Sequence, residues 1–205
     1  FSGANAQTFS RTAGTFSSHV KIDKTADVVS LLNAMTVTSG RSFTIMNGAL
    51  SLNGQNWTMT GATFSNDGAV QLQGNETITS LTQDTNSGTW EYKGRDIAEN
   101  LTIKDFGATD YFNLLINDQN VNKAVFQISN DLKAAGALTV SNGTLAQSAS
   151  NHITVSGNVT LANDSFQKST ATGELRLQGD LNLQSGNNNL GHLVIGASPD
   201  AITLT

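Results

Sequence analysis

The sequence predicts an all-β protein wound as a right-handed parallel β-solenoid. Three observations carry that expectation: short apolar segments of period two, polar corner residues recurring every seven to eight positions, and an internal repeat of about 95 residues.

The strands come first. Val20-Lys21-Ile22, Met35-Thr36-Val37, Phe43-Thr44-Ile45, Leu50-Ser51-Leu52, Trp57-Thr58-Met59 and Val70-Gln71-Leu72 each flank one central side chain with two apolar ones. Side chains alternate across a strand, so each segment offers two apolar groups to one face and a polar or small one to the other. Between them stand Ser39-Gly40, Asn47-Gly48, Asn53-Gly54 and Asn66-Asp67-Gly68. Such residues accept the positive φ that a tight corner requires. Strands of about seven residues in groups of three give coils of roughly 20–25 residues. Stacked at ~4.8 Å, eight or nine such coils make a rod about 40 Å long.

The repeat comes next. FTIMNGALSLNGQNWTMTG from Phe43 aligns with LTVSNGTLAQSASNHITVSG from Leu138, matching Asn47-Gly48 to Asn142-Gly143 and Leu50 to Leu145. AVQLQG ending at Gly74 matches ELRLQG ending at Gly179, which implies extra residues in the second copy between Asn163 and Thr172. Copies then run over about 1–87 and 88–185, with a partial third over 186–205, inside one continuous segment 1–205. The sequence stops at Thr205 within an apparent strand. An uncovered edge strand invites pairing, so the expected partners are a continuation of the same chain or identical subunits stacked at the coil ends. Two tandem immunoglobulin-like β-sandwiches are the alternative, since about 95 residues also suit one sandwich. The near-uniform strand spacing and the lack of a central Trp followed by a corner Tyr favour the coil.

Composition narrows the function classes. Charged residues make up 13% of the chain, about half the usual quarter, and uncharged polar residues exceed a third. The net charge of -5 is spread thinly with no basic run, which speaks against nucleic acid as a partner. No apolar stretch approaches the ~20 residues of a transmembrane helix. Cysteine is absent, so neither disulfides nor thiolate metal sites hold the chain together.

Two long phrases carry a resemblance. NLTIKDFGATDYFNLLIND, from Asn100 to Asp118, and DLKAAGALTVSNGTLAQSASNHITVSGNVTL, from Asp131 to Leu161, resemble the repeats of very large bacterial cell-surface proteins. These are the haemagglutinin-like and autotransporter-like adhesins with β-solenoid stalks, and the likeness covers most of residues 15–195. It implies export, a fibrous shape and a stalk, filament or surface-layer role. It carries over no catalytic residue.

Candidate sites are few. No nucleophile elbow, phosphate-cradling loop or metalloprotease motif occurs, and the three histidines lack metal-ligand spacing. Neither an enzyme activity, a metal nor a cofactor is expected. The densest mixture of charged and aromatic residues is Trp90 to Phe112. There Trp90, Tyr92 and Tyr111 are candidates to stack on a glycan, or to meet a host or cell-surface protein, with Asp96 and Glu99 accepting hydrogen bonds. The opposing expectation is structural: the stretch lies at the junction between repeat copies, where large side chains fill a packing irregularity. A polysaccharide-active enzyme is the remaining alternative.

Overall fold

The chain, seen in a computed structural model, is described over residues 1–11, 15–148, 150–168, 172–196 and 202–204. Thr205 and residues 169–171 of the expected turn insertion lie outside these. Within them the protein is a parallel β-solenoid of about nine turns with no helix and about 50% strand. Every strand pairing is parallel among the described residues. That excludes the sandwich alternative, whose sheets are antiparallel.

One long sheet of 12 strands runs the length of the coil, flanked by two sheets of 4 strands and one of 3. Its register builds a continuous inward column: Val29, Leu50, Val70, Trp90, Leu114, Leu138, Val159 and Leu183, at intervals of 20 to 24 residues, with the exposed Leu204 in register with Leu183. Leu72, Tyr92, Ile116, Val140 and Leu161 form a second column two residues on. The remaining faces close the interior with Leu101, Phe126, Leu145 and Phe166 on one side and Leu132, Ile153, Leu175 and Leu193 on another. Burying one such aliphatic side chain contributes about 1.5–3 kcal/mol, so stability accumulates coil by coil.

The cross-section changes along the axis. In the first coils Val20–Leu31 pairs with Ser42–Ser51 across two adjacent faces at once, and Met35–Val37, Trp57–Met59 and Ile78–Thr79 make the third. From Asn100 onward the faces separate into the sheet of Asn100–Thr102, Val125–Gln127, Thr144–Gln147 and Phe166–Lys168 and that of Leu132–Ala134, Ile153–Val155, Glu174–Leu177 and His192–Ile195. The coil holding Thr89–Tyr92 is where the two arrangements meet. Gly88 makes the approach possible: at φ +72 it lies so close to the coil before it that a Cβ would stand 2.2 Å from the Asn66 carbonyl oxygen.

The sequence repeat and the coil do not share a phase. Phe43, the residue aligned with Leu138, pairs with Phe64, whereas Leu138 stands in the column of Leu50. Leu145, aligned with Leu50, belongs to the Leu101–Phe126 column. The recurring structural unit is therefore the single coil, and the 95-residue similarity spans whole coils plus one face.

Candidate functional site

Strand parity fixes what happens at the junction. Trp90 and Tyr92 stand opposite Val70 and Leu72, so they point inward, while Glu91 stands opposite the outward Gln71. Trp90 is 1% exposed, and Tyr92 and Tyr111 are fully buried. They belong to an aromatic column inside the coil: Phe43 meets Trp57 at 5.1 Å between ring centroids, Trp57 meets Phe64 at 5.3 Å, and Trp90 meets Phe64 at 6.1 Å and Phe106 at 5.0 Å. Tyr92 continues it to Phe126 at 5.5 Å. Most of these pairs are edge-to-face, the arrangement that ring quadrupoles favour.

The phenols close a ring of hydrogen bonds. The Lys104 backbone N–H donates to Tyr92 Oη at 2.8 Å, and Tyr111 Oη donates to the Lys104 carbonyl at 2.6 Å. Tyr111 has spent its only proton, so at the 2.9 Å contact between the phenols Tyr92 is the donor. The ring pins the irregular strand end at Lys104 into the core. Replacing Tyr111 with Phe orphans the Lys104 carbonyl and the Tyr92 proton, and replacing Tyr92 with Phe orphans the Lys104 N–H. Each change should cost about 1–3 kcal/mol, and the double variant should cost less than the sum. Chemical denaturation of the four proteins measures this, and strict additivity contradicts the ring.

Burial pushes both phenols well above their ordinary ionisation range. The sign follows from linkage: below about pH 10 folded and unfolded chains are equally protonated, whereas above it the unfolded chain releases protons that the folded one retains. Stability should therefore fall as pH rises beyond about 10. These are the only 2 tyrosines in the protein, so tyrosinate absorbance should appear together with loss of β-sheet circular dichroism. Tyrosinate formed on an intact fold would contradict the burial.

The charged residues of the junction lie elsewhere. The connections 93–99 and 118–124 are seven residues each, against one to five at the same corner of the neighbouring coils, and they project as two adjoining loops. Asp96, at φ +59, accepts the Asn122 backbone N–H at 2.9 Å and so ties the loops together. Arg95 grips Glu99 through two bonds of 2.6 and 2.8 Å, holding that carboxyl below its usual range. Ile97 and Val121 stand exposed on the loops, Val121 at 90%. Beneath them the buried Asp118 carboxylate accepts the Asn120 and Ala124 backbone N–H groups. Gly94 must remain a glycine there, since a Cβ would lie 2.2 Å from Asp118 Oδ2. One coil earlier, the fully buried Glu76 takes backbone N–H bonds from Gly54 at 3.0 Å, Gln73 at 2.8 Å and Gly74 at 2.8 Å. Asp110 joins the Phe106 and Lys133 N–H groups, and its burial raises its pKa.

The five residues singled out in the sequence thus divide. Trp90, Tyr92 and Tyr111 come together in the interior, and Asp96 and Glu99 sit outside on a loop, so the five form no common surface. The three rings pack the core instead of offering a face to a ligand. Parity carried the signal, because Trp90 and Tyr92 follow Val70 and Leu72 by 20 residues.

What the sequence reading passed over is a trough beside the projecting loops. It encloses about 220 Å³, with Ser51, Gln71, Gln73, Lys93, Gln119 and Asn120 along its walls. Ser51, Gln71 and Glu91 stack outward on successive coils, with Asn53, Gln73 and Lys93 two positions on. The recurrence of polar residues at 51, 71 and 91 and at 53, 73 and 93 is the sequence signal that marks it. Among the described residues no group of His, Asp or Glu is placed to hold a metal ion, and no helix is long and apolar enough to cross a membrane. Comparison with family models, curated proteins and solved structures gives no match. The geometry defines the chain as a parallel β-solenoid, a class set by its coils rather than by a reaction centre.

Proposed function

We propose that this chain is a structural module of an extracellular bacterial surface protein, serving as a rigid stalk, filament or surface-layer element. The observation that carries the reading is the single interior that runs unbroken from Val20 through Leu183. A coil that packs only on its neighbours transmits load along its axis and gains length by adding turns. The junction carboxylates support the same reading, since Glu76, Asp110 and Asp118 are occupied in organising corners. The likeness to adhesin stalk repeats and the absence of cysteine agree with export. The apolar side chains of Ile195 and Leu204 are 51% and 67% exposed, a surface on which a second copy would stack.

Antibodies raised against the folded chain test the placement. They should label intact cells of the source organism, and labelling that appears only after permeabilisation would sink the proposal.

A further inference from the structure

We propose that the trough beside the projecting loops is a subsite for an uncharged glycan chain. The Glu91 carboxylate can only accept hydrogen bonds and therefore sets the polarity of every amide joined to it. Gln71 Nε2 donates to Glu91 Oε2 at 2.9 Å, and Asn117 Nδ2 donates to Glu91 Oε1 at 2.8 Å. Asn117 Oδ1 is thereby fixed as an acceptor, and Gln119 Nε2 donates to it at 3.3 Å. Among the described residues the carbonyl oxygens of Gln71 and Gln119 have no partner in the protein. Ser51 contributes a hydroxyl, and Lys93 an ammonium group with no carboxylate within ion-pair distance among the described residues.

This set discriminates between ligands. Partnerless carbonyl oxygens repel carboxylate and sulfate groups but accept from hydroxyls, while the serine and lysine donate to hydroxyl or ring oxygens. A neutral sugar chain, each of whose hydroxyls both donates and accepts, satisfies the whole set; the carboxylates of a polyuronate are served only by Lys93 and Ser51 and stand against the Gln carbonyl oxygens and Glu91. Successive coils repeat the outward groups at ~4.8 Å, the scale of one pyranose ring. Asn120 is held against the Lys93 carbonyl at 3.0 Å, which fixes the loop that closes one end. No exposed ring lines the trough, so its grip is modest, with Kd on the order of millimolar.

The test titrates the whole chain with three hexasaccharides, a β-1,4-glucan, a β-1,3-glucan and a polygalacturonate, followed by NMR shifts. At least one neutral glucan should bind more tightly than the uronate. Lys93→Ala and Gln119→Ala, both at exposed side chains, should each weaken that binding about 3- to 10-fold. Asn163→Ala, in the separate concavity on the far side of the loops, should leave it unchanged. Binding of the uronate alone, no binding at all, or binding indifferent to Lys93 and Gln119 would each overturn the subsite. None of these results bears on the stalk reading, which is tested on cells.

Discussion

Replacing Trp90 with alanine should lower the free energy of unfolding by about 3–5 kcal/mol, the range for deleting a large buried aromatic side chain. The indole is 1% exposed and touches Phe64, Phe106 and Tyr111 where the two cross-sections meet. Removing it leaves a cavity that the stiff backbone ladders on either side cannot close, because Trp90 is held in register by Val70 and Leu114. Urea unfolding of the wild type and the variant measures the difference. A loss below about 1 kcal/mol, as for a surface residue, would show that the ring does not support the junction.

Glu76→Ala should have an effect of similar size, on the order of 3–5 kcal/mol, by a different mechanism. Three backbone N–H groups on two successive coils, those of Gly54, Gln73 and Gly74, converge on one buried carboxylate. Deleting it orphans all three donors, and each buried unpaired donor costs about 1–3 kcal/mol. Glu76→Gln retains one acceptor oxygen but turns a donor toward the other N–H groups, so it should recover only part of the loss. Thermal unfolding of the two variants checks the order, and a glutamine variant as stable as wild type would exclude the convergence described.

The coil itself was legible because period-two alternation and polar corners are local properties, written wherever a strand passes. Val20-Lys21-Ile22 or Leu50-Ser51-Leu52 places two inward side chains without reference to any other part of the chain. The same rule, carried from Val70-Gln71-Leu72 to Trp90-Glu91-Tyr92, already puts the indole and the phenol inside. Charge density alone suggests a surface patch there, while the position at the junction between repeat copies suggests large side chains filling a packing irregularity, and the buried rings do the latter. The trough was not legible in the same way, since it depends on which coils become neighbours and on how far residues 93–99 and 118–124 project. The hydrogen-bond polarity imposed by Glu91 is invisible until Gln71 and Asn117 stand beside it. Nor could the phase of the repeat be read, because an apolar–polar–apolar triplet fits any face equally well.

Two kindred passages occupy different sides of the cylinder, one on the Phe43 side and the other in the line of Leu50. Gene copying in such an architecture is thus released from whole-turn bookkeeping. A fragment inserted a third of a revolution out of step still finds an apolar wall to lean on, so lengthening by unequal crossover is tolerated at many more breakpoints than a closed barrel would permit.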